Sequence, residues 1–94
     1  MTTYMIGYDL NKEGAAYQEA NKELADAIKA LFGTWWHQLD STWLVVSKLT
    51  AVEIRNALGC HIDSNSKLLV AEMSGNAAWK GFDQKGSDWL KSNL

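Results

Sequence analysis

The chain has 94 residues, 47% of them hydrophobic and 21% charged, which sets its scale at one folded domain and excludes a disordered chain. No apolar run approaches the ~20 residues of a membrane span, and Met1-Thr2-Thr3 lacks the basic start of a secretory signal, so a cytoplasmic protein with no membrane partner is expected. A net charge of −2, a pI of about 5.5, eight scattered lysines and Arg55 as the sole arginine argue against tight binding of duplex DNA, whose affinity rests on clustered cations.

Residues 3–9 alternate with the period of a strand: Tyr4, Ile6 and Tyr8 face one side, Met5, Gly7 and Asp9 the other. Tyr17, Ala20, Leu24, Ile28 and Leu31 then recur at three- and four-residue steps. That spacing predicts an amphipathic helix over about 13–32, with Gly33 as its left-handed stop. Residues 34–39 and 42–48 read as two strands around a tight turn at Asp40-Ser41, with Trp35 and Trp36 on opposite sides. Thr50-Ala51-Val52-Glu53 matches a capping box, in which hydroxyl and carboxylate satisfy free backbone amides. It opens a short helix that turns Ile54, Ala57 and Leu58 inward and ends at Gly59. After the polar loop 63–66, residues 67–73 form a fourth strand, and Ser87 is placed to cap a last short helix at 88–91.

This βαββαβ order predicts an α+β, ferredoxin-like domain spanning 1–94: a four-stranded antiparallel sheet, its two helices on one face, and a short C-terminal helix. Trp43 and Val45 alternate with Leu44 and Val46, and Leu68 and Val70 with Leu69 and Ala71. A sheet with one wet face alternates apolar with polar. The second face is therefore expected to be covered by segment 75–94, by a second subunit, or by both, and a homodimer is the favoured partner arrangement.

Several residues are candidates for chemistry. Strands 1 and 3 of such a sheet are adjacent and antiparallel, so Asp9 and Asp40 fall at one sheet end, where two carboxylates can share Mg²⁺ with water and phosphate oxygens. The structural alternative is that Asp40 shapes the turn and Asp9 caps the following loop or helix. His37, near Asp40, is a candidate base, acid or ligand, or else a half-buried strand residue. Cys60, the only cysteine, excludes an intrachain disulfide and reads as a packing residue, while His61-x-Asp63 is too common a spacing to specify a metal. In the loop 74–82, Trp79 can stack on a base, Lys80 can pair a phosphate, and Gly75 and Gly81 allow close backbone approach. Trp79, Lys80, Gly81, Phe82, Trp36 and Tyr8 make up the candidate ligand-binding set. The alternative for the loop is an aromatic plug over the open sheet face. No glycine-rich phosphate loop, nucleophile elbow, zinc spacing or helix-turn-helix pattern is present.

Met5-Ile6-Gly7-Tyr8-Asp9-Leu10, a helix, and then His37-Gln38-Leu39-Asp40-Ser41-Thr42-Trp43-Leu44-Val45 resemble the CRISPR-associated protein 2 superfamily, which includes the VapD-like toxins. The Trp35-Trp36-His37 hairpin and the late Ala77-Ala78-Trp79-Lys80-Gly81-Phe82 are closer still to small bacterial and phage proteins labelled SinR-like. The resemblance covers residues 3–82 and implies a ferredoxin-like dimer in which the strand-1 aspartate, Asp9, binds a divalent metal for phosphodiester cleavage. The chain departs from the nuclease members in lacking their Arg- and Lys-rich surface, and its strands contradict the helix-turn-helix regulator that the SinR label suggests. Two expectations follow. One is a non-catalytic dimeric binding module for a nucleotide-like ligand, short RNA or protein partner, which in a phage setting would sequester a signalling nucleotide. The other is a Mg²⁺-dependent endoribonuclease or phosphodiesterase that uses Asp9, with Asp40 or His37. The acidic pI and sparse acid–base groups favour the binder.

Overall fold

The computed structural model describes residues 1–94. Its elements are β1 (Thr2–Asp9), α1 (Gly14–Leu31), β2 (Trp35–Leu39), β3 (Thr42–Ser47), α2 (Ala51–Gly59), β4 (Lys67–Glu72) and α3 (Gln84–Asn93). The strands lie in the order β2-β3-β1-β4, with every neighbouring pair antiparallel, which is the ferredoxin-like arrangement the sequence predicts. No helix is long and apolar enough to cross a membrane.

The alternation along β1 sorts its side chains as expected. Tyr4, Ile6 and Tyr8 join Trp43 and Val45 beneath Leu24 and Ile28 of α1 and Ile54 and Leu58 of α2. Each such side chain, fully buried, contributes about 1.5–3 kcal/mol of hydrophobic stabilisation. Trp43, wholly buried in this core, donates its Nε1–H to the Tyr8 hydroxyl at 3.0 Å, and Tyr8 donates in turn to Asn21 Oδ1 at 3.2 Å. The Thr50–Glu53 capping box forms as the sequence predicts, with both reciprocal bonds in place.

The opposite face carries a second, smaller core. Trp36, Leu44 and Leu90 are buried there, with Met5, Met73, Trp79, Phe82 and Trp89 packed around them. The C-terminal segment and α3 thus cover this face, one of the two covers expected. The cover is partial. The cross-strand row Leu39, Thr42, Gly7 and Leu69 lies beyond it, and Leu39 and Leu69 stay 47% and 58% exposed.

Two local expectations are corrected. Gly33 is not a left-handed stop, because only Gly14, Gly75 and Gly81 have positive φ. Instead Phe32 ends α1 in an extended conformation while its N–H still bonds Ile28 O, since its ring is drawn into the helix-side core. Ser87 is not the cap of α3. The helix begins four residues earlier at Gln84, where the Asp83 carboxylate accepts the Gly86 N–H at 2.7 Å. Gly86 also lies hard against Gln38, so that a Cβ there would stand 2.3 Å from the Gln38 amide nitrogen. That close approach seats α3 on β2.

Candidate functional site

The sheet, the 73–82 segment and α3 leave a cavity of about 330 Å³ between them. Eleven of its thirteen lining residues are hydrophobic; the other two are Thr42 and Lys80. The cavity is near the lower end of the size range of small-molecule sites and has their character, mostly apolar walls with a few polar groups. Trp36, Trp79 and Phe82 supply aromatic surface, and Phe82 meets Trp36 edge-on with ring centroids 4.9 Å apart. Gly81, at φ +94°, turns the chain between Lys80 and Phe82 and places both on the lining without reaching it itself.

Four of the six residues expected to bind ligand, Trp36, Trp79, Lys80 and Phe82, therefore meet at one place, though two segments far apart in sequence supply them. Tyr8 does not join them, since its ring is buried on the helix side of the sheet. Burial from water is the first reason its hydroxyl is held above the usual phenol range, with the Trp43 hydrogen bond working against that rise. Met5, Leu39, Thr42, Met73 and Leu90 also line the cavity but were not anticipated as site residues. The alternation of β1 and β3 signalled Met5, Thr42 and Leu44. Nothing local signalled Leu90, because the helix that carries it starts earlier than its sequence suggests.

The candidate catalytic residues are arranged differently. Gly7 pairs with Thr42 and the Tyr8 N–H bonds Ser41 O, so Asp9 and the turn that carries Asp40 lie at the same end of the sheet, where the strand partner of Asp9 is Lys67 of β4. Both are exposed. His37 reaches the Asp40 backbone rather than a carboxylate. It lies on the helix face, its ring stacked on Trp43 at 3.8 Å and 12°, whereas Asp9 alternates onto the other face with Met5 and Gly7. His37 Nε2 stands 3.1 Å from the Asp40 carbonyl oxygen. A carbonyl only accepts, so Nε2 carries the proton and the imidazole clasps its own hairpin. No group of three or more His, Cys, Asp or Glu residues is placed to hold a metal ion.

A second cavity, of about 300 Å³, opens between the β1–α1 connection and the α2–β4 loop. Most of its charged groups are already matched, with Lys12 paired to Asp63 and His61 Nδ1 3.3 Å from Glu23 Oε2, while Glu19 has no ion-pair partner. Cys60 is exposed, with its thiol on the Ala57 carbonyl. The apolar cavity is the better ligand site, because its aromatic walls and its lone cation have no such partners. Comparison with family models, with characterised proteins and with solved structures returns no match.

Proposed function

We propose that this chain is a non-catalytic binding module whose ligand, a flat nucleotide-like molecule, sits in the apolar cavity between the sheet and the C-terminal segment. The observation that carries this reading is the convergence of Trp36, Trp79, Phe82 and Lys80 on one cavity. Aromatic side chains there offer a nucleobase stacking surface worth about 1–3 kcal/mol per base, and Lys80 at the rim offers a cation to its phosphate. The volume suits one base better than a whole dinucleotide, so a larger ligand would insert one base and leave the rest outside. Sequestration is the activity such a site performs. A homodimer belongs to the same reading, since exposed Leu39 at the cavity wall and exposed Leu69 past it extend the apolar face, where a second copy can cover them.

A second reading has one specific observation in its favour, the placement of Asp9 and the Asp40 turn at the same end of the sheet. Two carboxylates are as many as Mg²⁺ commonly takes from protein when water and substrate phosphates complete its shell. Asp9 and Asp40 would hold the ion, which would supply charge stabilisation for phosphodiester cleavage. His37 would act only by fixing the turn that carries Asp40.

One experiment separates the two. Purified protein is mixed with mononucleotides, cyclic dinucleotides and short RNAs, in Mg²⁺ or in EDTA, and its melting temperature and the chromatographic profile of each ligand are followed. A ligand that prefers the folded chain stabilises it by roughly 2.7 kcal/mol at about 100 Kd. The binder reading predicts a raised melting temperature in EDTA with the ligand recovered intact and a smaller rise for Trp79→Ala. Mg²⁺-dependent loss of substrate, abolished in Asp9→Ala, would replace it with the phosphodiesterase. No shift from any nucleotide would overturn it.

A further inference from the structure

The two edges of the sheet are finished differently. β2 slips register between Trp36 and Leu39, and its Gln38 is tied to Asp83 at the start of α3. β4 runs beside β1 from Lys67 to Glu72 without a slip, and no strand pairs with its other side. The Met73 N–H bonds Thr3 O, so the residues of β4 that bond β1 are the odd-numbered ones. The N–H and C=O groups of Leu68, Val70 and Glu72 therefore point outward from the open edge. Natural edge strands are blunted by proline, bulges or a charge in mid-strand, because a bare edge is a template for pairing. β4 has none of these. Its charges sit only at its ends, Lys67 and Glu72, with Leu68-Leu69-Val70-Ala71 between them. Along the edge lies a groove of about 240 Å³, where Ala51, Val52 and Arg55 of α2 meet Leu68, Leu69 and Val70. Val52 and Leu69 are exposed there, and neither Arg55 nor Glu72 forms an ion pair.

From this we infer the contact of the homodimer, resting on the reading above that the chain forms one: β4 pairs antiparallel with β4 of a second copy, across a two-fold axis at Val70. A two-fold axis normal to the sheet keeps each face on its own side, so only residues that share a face can stand opposite each other. Centring on Val70 sets Leu68 opposite Glu72 of the second copy and Leu69 opposite its Ala71. Every outward group of Leu68, Val70 and Glu72 then has a partner, and the two sheets become one. Leu69 is covered, while Leu39, on the far edge strand, keeps its place on the cavity wall. Charge selects a second copy as the occupant. α2 returns the chain from the end of β3 to the start of β4, so it runs opposite to β4 and sets Arg55 toward the Leu68 end of the groove. Glu72 of the second copy arrives at that end and on that face, since Leu68 and Glu72 pair with Tyr8 and Tyr4 of the helix-side core. The chain's one arginine thus meets a free carboxylate on each side of the axis. A parallel pairing would instead set Lys67 beside Lys67 and Glu72 beside Glu72, where like charges repel.

The test follows the full chain by sedimentation equilibrium across a concentration series, with amide hydrogen exchange read by NMR on the same protein. The expected result is a dimer and nothing larger, because a two-fold contact uses up the β4 edge and leaves only the slipped β2 edge. In the dimer the Leu68, Val70 and Glu72 amides should exchange slowly and lose that protection on dilution. Leu69 and Ala71, bonded to β1, should keep theirs. Glu72→Pro removes an N–H that bonds nothing within one chain, together with the carboxylate meant for Arg55, and proline is tolerated at such an edge position. It should weaken dimerisation by about tenfold or more. Arg55→Glu should weaken it about three- to tenfold, and combining Arg55→Glu with Glu72→Arg should restore it. A dimer of unchanged affinity in both single variants, with fast exchange at Leu68 and Val70, would overturn the edge contact and leave the homodimer standing through another surface. A ladder of higher oligomers would likewise overturn the closed two-fold contact. A monomer at every concentration would overturn both the contact and the homodimer reading.

Discussion

Trp35 and Trp36 are adjacent in sequence and opposite in fate. Trp36 drops into the second core, while Trp35 tilts against Trp43 at 5.3 Å under the Lys29 ammonium, 5.2 Å from its ring centre. Strand alternation predicts that split, but it does not reveal that the buried indole would lack an acceptor. On the other face the Trp43 indole is satisfied, and only Tyr8 makes it so. Tyr8→Phe keeps the ring and removes the acceptor, which leaves a buried N–H unpaired. The expected loss is about 1–3 kcal/mol. Thermal unfolding should register it as a fall of roughly 4–8 °C for each kcal/mol in a domain of this size. An unchanged melting temperature would mean that the hydrogen bond contributes nothing net. Because burial holds the Tyr8 pKa above its unfolded value, the linked stability is complete below about pH 10 and is lost as pH rises through the folded pKa.

At the scale of elements, α1 and α2 were legible, and α3 was legible as a C-terminal helix but not in its start at Gln84. The apolar stripe of α1 buries Leu24 and Ile28 as predicted, although Leu31, its expected last member, stays exposed at the helix end, and the α2 capping box is a local signal that needs no tertiary help. The first turn of α3, Gln84-Lys85-Gly86-Ser87, has no apolar periodicity and carries a glycine, a poor helix former. What holds it is tertiary. One carboxylate oxygen, Asp83 Oδ1, accepts from the Gly86 N–H within the helix and from Gln38 Nε2 on β2. These two bonds, the backbone one first, hold the Asp83 carboxyl below its ordinary pKa. A depressed folded-state pKa means that the stabilisation is present above the unfolded value, about pH 4, and is lost as pH falls through the folded one. Asp83→Ala should therefore lower the melting temperature by a few degrees at pH 7 and flatten its decline in acid. Hydrogen exchange should show faster opening of α3 while β1 and β3 keep their protection. Equal loosening of the whole sheet would show that α3 is not a separately seated cover.

Across the whole molecule, the topology followed from periodicity because each strand's alternation and each helix's stripe agree on one core. The cavity did not, since it depends on how far a non-repetitive segment and a weak helix cover the second face. Loop residues Trp79, Lys80 and Phe82 stood out by type, and the fold supplied their meeting with Trp36 and Met5. The antiparallel pairing of β1 with β3 was legible from topology, whereas the stacking of the His37 ring on Trp43 was not. The central claim is that this cavity receives the ligand, and the three methionines provide its most direct test. Met5 and Met73 line the cavity, while Met1 is 82% exposed outside it. In a ¹³C-methyl-methionine spectrum titrated with purine nucleotides in EDTA, the account predicts saturable shifts of Met5 and Met73 with Met1 stationary. Nucleotide binding that leaves Met5 and Met73 unmoved would contradict it and place the site elsewhere on the molecule.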